Sequence, residues 1–402
     1  MTDIRRTLLW VVFTMSLVLL WDAWNKHTGA PSLFGGSAPR PVAASAPPTV
    51  PGSAAVPSVA VPSATTAPPT SAAVPGSGPA PAPAAGAAEL ITLTTDVLRA
   101  SIDTRGGDIV RLELLRYRDH VNPASNVVLF DRSRERLYFA RTGLATVDGV
   151  AFPNHETVFV PKAGERELKS DAGQLELQLE SPELNGMRVR KTLTLRRGDY
   201  RIGVKHELSY SGANTLSPQL YMQLVRDGNP PAGESSFYFT FTGPAVYTDA
   251  KKFEKIDFSD IEKGKADYQR SADNGWIAMV QHYFASAWLI GAGPRDYVTN
   301  KVGDNQYALA MMVKLGTLAP QATLTHDATL YAGPQEEKKL EALAPGLDLV
   351  KDYGYFTILA KPLYWLLDRL YQVLGNWGWS IVALVVLLKI AFYWLNASAY
   401  RS

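Results

Sequence analysis

MRVRKTLTLRRGDYRIGVKHELSY, residues 187–210, decides the fold of most of this chain. Two β-patterned runs, MRVRKTLTL and YRIGVKHELSY, flank the turn Arg196-Arg197-Gly198-Asp199. Successive strand residues point to opposite faces, so Tyr200, Ile202, Val204, His206, Leu208 and Tyr210 share one face of the second strand. Gly-Asp is a hairpin turn signal, and the pattern predicts an antiparallel hairpin buried on one side.

The same period extends outward. Leu175, Leu177 and Leu179 alternate with Gln and Glu just upstream. Further strand-like runs are ITLTTDVLRASID (91–103) before the turn glycines Gly106-Gly107, SSFYFTFTG (235–243), WIAMVQHYFASAWLIGA (276–292), QYALAMMVKL (306–315) and ATLTHDATLYAG (322–333). Only EEKKLEALA (336–344) reads as helix near this domain. The mixed-sign stretch KKFEKIDFSDIEKGKAD (251–267) reads as a solvated face or loop. Residues 89–335 are therefore expected to form one large antiparallel β-sandwich.

Upstream of this domain the composition changes twice. From Pro41 to Ala88 there is no charged residue, and Ala, Pro, Ser, Val, Thr and Gly fill every position. Such a segment has no large side chain to bury against its ordering entropy, so 29–88 reads as a disordered, semi-extended tether. Before it, Arg5 and Arg6 precede an apolar run from Leu8 to Trp24. Trp21, Trp24, Asn25, Lys26 and His27 are too large for a cleavage site, and Pro31 follows the first small pair, Thr28 and Ala30. Residues 1–28 are expected to remain as a transmembrane signal anchor with a cytoplasmic N-terminus.

Downstream of the sandwich the chain turns helical. In the segment 336–374, Lys361, Asp368, Arg369 and Gln372 recur at i, i+7, i+8 and i+11, one helical face in an otherwise apolar, aromatic-rich run. That pattern fits a helix lying in a membrane interface. From Trp377 to Leu395 nineteen residues carry one charge, Lys389. At 1.5 Å per residue they span about 28 Å, close to a bilayer core, which places Lys389 about 18 Å in. A lysine there costs roughly 2.5–3.5 kcal/mol on insertion scales, so it either snorkels to the headgroups or serves a polar intramembrane site. Residues 375–402 read as a second span running back to the cytoplasm, with the sandwich outside the membrane. The chain stops seven residues past Leu395, which reads as a fragment of a longer protein.

Composition narrows the chemistry. The 402 residues contain no cysteine and six histidines and carry a net charge of +2. Disulfides, thiolate metal sites and cysteine nucleophiles are excluded, and the balanced charge argues against nucleic-acid binding. No zincin, nucleophile-elbow, P-loop or dinucleotide fingerprint occurs. His120, His155, His206, His282 and His326 are scattered and read as core or surface residues. Neither an enzyme, a metal nor a cofactor is expected.

The order of anchor, tether, β-domain, amphipathic helix and cation-bearing span resembles the membrane insertases of the YidC/Oxa/Alb family, found in Gram-negative inner membranes. The strings that carry the resemblance are WDAW (21–24), TDVLRASIDTRGGDI (95–109), KTLTLRRGDY (191–200), GWIAMVQHYFASAW (275–288), APGLDLVKDYG (344–354) and NWGWSI (376–381). The resemblance covers the chain outside the tether. It implies a periplasmic β-supersandwich and a membrane domain of five spans around a hydrophilic groove, of which this chain holds the first. The groove cation, usually arginine, falls on Lys389, where lysine keeps the charge and loses the planar fork. Trp394 stands near where some relatives carry proline. The implied partners are nascent inner-membrane proteins, the Sec translocon and the lipid bilayer, at a multi-pass inner-membrane location. A membrane-anchored sugar-binding protein and a structural envelope adaptor are the competing readings. The first needs a His/Glu/Asp constellation in the β-domain, and the second tolerates loss of Lys389.

Overall fold

The structure, a computed structural model, describes residues 88–402 except 147–148, 232, 234–239, 352–356 and 394–402, and no side chains at 357–359 and 361. The expected signal anchor and nearly all of the expected tether lie outside the described residues. So does most of the run 235–243, whose described residues before Gly243 form no strand.

Alternation over 89–335 folds into two antiparallel sheets. The first runs β1 (Leu90–Thr94), β2 (Leu98–Asp103), β3 (Asp108–Arg118), β4 (Asn126–Arg132), β5 (Leu137–Leu144), β10 (Gln219–Asp227), β17 (Gln306–Lys314), β16 (Arg295–Gly303) and β13 (Ser271–Ala272). The second runs β12 (Lys252–Lys255), β11 (Gly243–Thr248), β14 (Trp276–Gln281), β15 (Phe284–Leu289), β18 (Thr323–Pro334), β9 (Arg201–Tyr210), β8 (Met187–Arg196), β7 (Gln174–Glu180) and β6 (Val160–Pro161). The hairpin read first, β8–β9, pairs Leu193 with Val204 and Leu195 with Ile202. Gly198 sits in its turn at φ 70°, a conformation that favours glycine.

The inward faces of both sheets build one core. Leu112, Phe130, Met222 and Leu309 come from the first sheet, and Leu177, Leu193, Ile202, Trp288 and Leu330 from the second. Trp288 satisfies its indole N–H across the gap on the Gln223 carbonyl at 3.2 Å. Two small clusters, around Tyr221 and Met312 and around Phe139 and Val225, form separately from the main core.

The stretch 251–267, read as a solvated face or loop, carries regular structure with a solvated face. It holds β12 and a short helix, α1 (Phe258–Glu262), because Ile256 and Ile261 are buried and pin it to the core while Lys251, Lys252, Lys255 and Lys263 stay in water. The helix expected after Gln335 is present as α2 (Glu337–Leu343), followed by a 3₁₀ turn over Leu347–Val350. Leu340, Leu347 and Val350 are fully buried in the main core. The β-domain therefore extends structurally past residue 335.

Two helices follow, α3 (Thr357–Leu374) and α4 (Trp377–Ala391). Gly375 at φ 64° ends α3, its N–H on the Tyr371 carbonyl at 2.8 Å. Asn376 then caps α4 by accepting from the Trp379 N–H at 3.2 Å. Among the described residues no helix is long and apolar enough to cross a membrane. α4 is described over 15 residues, and the end of the expected span lies outside them.

Each fully buried Leu or Val contributes about 1.5–3 kcal/mol against a domain total of only about 5–15. A fragment ending at residue 351 is therefore expected to melt cooperatively and several degrees above one ending at 335. Circular dichroism melts of the two fragments check this, and equal midpoints would count against core membership of the α2 segment.

Candidate functional site

Two regions concentrate polar and aromatic chemistry. The first is the helical module that carries the residues singled out in the sequence. Asp368 on α3 accepts from Lys338 Nζ of α2 at 2.8 Å and from Gln372 Nε2 at 2.9 Å. The Lys338 hydrogen bond holds the Asp368 carboxyl below the usual carboxylate range. Arg369 donates to Gln372 Oε1 at 3.3 Å and lies over the Trp365 ring at 5.5 Å. Lys361 lies on the same helix. The polar stripe of α3 is thus partly consumed in docking to α2.

The rest of α3 and α4 is aromatic and exposed. Trp365 is 59% exposed and Trp379 is 68% exposed, and Leu363, Tyr364 and Val373 are also open. Tyr371 and Trp377 stack across the Gly375 break, with ring centroids 4.0 Å apart and planes 9° from parallel. Lys389 occupies the last turn of α4, exposed, where a cation also complements the helix dipole. It is far along the chain from Asp368, and the structure brings no second charged group of the sequence reading beside it among the described residues.

The second region lies between the sheets and was not read as a site from sequence. Lys191 points inward from β8, opposite His206 on β9, which in turn faces His326 on β18. Lys191 Nζ donates to the Gly106 carbonyl at 2.5 Å and the Thr142 carbonyl at 2.8 Å, and sits 4.9 Å from the centre of the Phe159 ring. His206 is fully buried and bonds Thr142 Oγ1 through Nε2 at 2.8 Å. Burial and then the Lys191 charge hold its ring well below the usual range, so it is neutral. His155 bonds Tyr221 through Nδ1, and burial followed by Arg141 pushes it down to about 3. Asp108, buried at the start of β3, is pushed up to about 7 by desolvation, opposed by Lys191 and Arg141. Burial likewise lowers Lys191 to about 8.

This cluster has the ingredients of acid–base chemistry and is packed between the sheets. The described groove of about 570 Å³ lies elsewhere, at the β6–β8 sheet edge, lined in part by Lys162, Glu180, Arg188 and Arg190. Both arginines there are paired with Glu180. Among the described residues no three His, Asp or Glu side chains gather as a metal site. The one sequence signal for the buried cluster was Lys191 itself, the only charge at an inward position of the alternating β8 strand.

A two-sheet antiparallel domain that passes through a docked helix into an exposed aromatic helix pair defines the class. Residues 90–366 match the family described as YidC periplasmic domain. The chain is 47% identical over 402 residues to a membrane protein insertase YidC from Janthinobacterium sp. (strain Marseille), covering all of this chain and 70% of that protein. It is 49% identical over 407 residues to the one from Cupriavidus necator, with the same coverage. A galactose mutarotase-like protein from Clostridium acetobutylicum superposes with a TM-score of 0.40 at 9% identity, over 62% of this chain and 98% of that one. The chain belongs to the YidC family.

The buried cluster yields a stability prediction with a defined sign. Folded Asp108 keeps its proton to about pH 7, whereas the unfolded side chain releases it near 3.8. Its contribution is therefore fully present below pH 3.8 and is lost as pH rises toward 7. Asp108→Asn has no proton to lose, so its stability relative to the parent is expected to rise across that window. Lys191→Ala, which leaves a cavity and uncompensated polar groups, is expected to cost about 3–5 kcal/mol. Lys191→Met combined with Asp108→Asn keeps the volume and should cost less. Denaturant melts at pH 4 and pH 7 check both; a constant difference between Asp108→Asn and parent would refute the assignment.

Proposed function

We propose that this chain acts in the insertion and folding of inner-membrane proteins, as an insertase and chaperone, alone or with the Sec translocon. The observation that carries the reading is 47–49% identity across the whole chain to proteins named membrane protein insertase YidC. The mechanism is binding and partition rather than covalent chemistry. The β-domain scaffolds the helical module and holds α3 at the periplasmic membrane surface. Trp365, Tyr364 and Leu363, exposed in the structure, provide the amphipathic face that an interface demands. Lys361, Asp368 and Arg369 supply its polar side, and α4 continues into the bilayer.

Lys389 supplies the cation of a hydrophilic intramembrane groove. It offers a transient partner to acidic residues in the translocated tail of a substrate helix, and the wet groove lowers the cost of moving that tail. The substrate helix then leaves for lipid, driven by apolar burial. Nascent inner-membrane proteins, the Sec translocon and the bilayer are the partners on this reading, at a multi-pass inner-membrane location with the N-terminus cytoplasmic and the large domain periplasmic.

The test is made with this chain extended to the length of its relatives. Lys389→Arg is expected to preserve insertion of an acidic-tailed substrate, Lys389→Ala to reduce it severalfold, and Lys389→Glu to reduce it further through like-charge repulsion. Protease protection of the translocated tail reads the outcome, with the amount of each variant in the membrane measured alongside. Undiminished insertion by Lys389→Ala would make Lys389 a snorkelling residue.

A further inference from the structure

The turn between β14 and β15 carries a feature that neither the core nor α3 explains. Two residues, His282 and Tyr283, connect the strands. Tyr283 adopts φ 70°, a left-handed conformation in which a bulky side chain is uncommon and Gly or Asn is usual for such turns. Tyr283 is 65% exposed, so burial within the chain does not compensate that conformation. The neighbouring His282 ring stacks on it, with centroids 3.6 Å apart.

The turn is held rigidly and in a particular place. The Gln335 N–H donates to the Tyr283 carbonyl at 2.9 Å. Gln335 Nε2 donates to the carbonyls of Gln281 at 3.0 Å and Phe284 at 3.1 Å. From beneath, Arg226 donates to Gln281 Oε1 at 2.8 Å, and Tyr117 packs edge-on against Phe284. Gln335 is the residue that leads into α2, and three residues later Lys338 grips Asp368 of α3. The tip is thus linked through Gln335 and α2 to the Lys338–Asp368 contact that joins α3.

We propose that the His282-Tyr283 tip is a second contact of the periplasmic domain with the lipid headgroup region. The aromatic pair is presented on a rigid hairpin so that the domain meets the bilayer at two points, tip and α3. A tyrosine, with an apolar ring and a polar hydroxyl, suits that boundary. Two-point contact fixes the tilt of the sandwich, which a single helix lying in the surface leaves free to roll. The inference rests on the reading of α3 as an interfacial helix.

The chain contains no cysteine, so single cysteines give unique labelling sites. Trp365→Cys, Tyr283→Cys and Val160→Cys are labelled with an environment-sensitive fluorophore in the whole chain, reconstituted in phosphatidylcholine/phosphatidylglycerol vesicles. Val160 is 68% exposed on β6, five strands from β15. A headgroup-level lipid quencher is expected to lower the signals at 365 and 283 about twofold and leave that at 160 unchanged. Quenching at 365 without quenching at 283 overturns the inference and leaves the α3 reading standing. Quenching at neither overturns both, and equal quenching at 160 marks general adsorption and overturns the inference. Tyr283→Gly, which suits the left-handed backbone, is expected to melt no lower than the parent. A clear drop would make the ring a structural support and overturn the proposal.

Discussion

An ammonium group buried between two sheets is the constraint around which this domain is arranged. Lys191 is only 1% exposed, and it reaches from β8 in one sheet to the Thr142 carbonyl on β5 of the other and to the Gly106 carbonyl in the turn between β2 and β3. A buried charge must be compensated locally, and its partners cannot drift without leaving it unpaired. The contact therefore fixes the spacing and register of the sheets where apolar packing, which tolerates sliding, does not. Leucine at this position would fill the space without selecting one arrangement. Asp108, buried at the start of β3, feels the Lys191 charge, which opposes the upward push of desolvation on its carboxyl.

The same row explains why the histidines are silent. His206 and His326 stand beside Lys191 on the inner face, and His155 on the loop before β6 meets Arg141. Burial and neighbouring cations both oppose a protonated ring, so each is held below its ordinary range. Depressed values of this kind contribute stability that is present above pH 6.5 and lost as pH falls. Groups tuned in this way are found in active sites, and here they are packed between the sheets on backbone carbonyls and the Thr142 hydroxyl. The polar row reads as a fold-specifying device inside a scaffold.

Much of the fold was legible because half-buried strands keep period two. The β8–β9 hairpin and β7 alternate cleanly, and their inward residues are those expected. Strand β10 was not recognised, because it is buried at nearly every position and QLYMQLVRD shows no alternation. β4 and β5 were missed for a related reason: their irregular pairing with β3 interrupts the period. A helix is present over Thr357–Leu374, where the amphipathic stripe was read. What sequence could not supply was the use made of that stripe. Asp368 pairs with a residue 30 positions away, and the tip at Tyr283 gains meaning only from Gln335, 52 residues later.

The division of α3 into two uses bears on what the exposed aromatics face. An amphipathic helix docked on a soluble domain normally buries its apolar side and shows its polar side to water. Here the two sides are mixed: Asp368 turns toward α2 while Arg369 and Gln372 are exposed, and Leu363, Trp365 and Val373 remain open although Leu366, Leu367 and Leu370 are partly covered. The Lys338–Asp368 pair is exposed on the lysine side and contributes little to stability, so it orients the helix rather than anchoring it. Exposed apolar side chains grouped on one helix mark an interaction surface, for a protein or a membrane. The aromatic residues continue past Gly375 through Trp377 and Trp379, which extends the surface along the direction of the chain. On the proposed interfacial reading of α3, a lipid boundary is what would cover the open side chains of both helices.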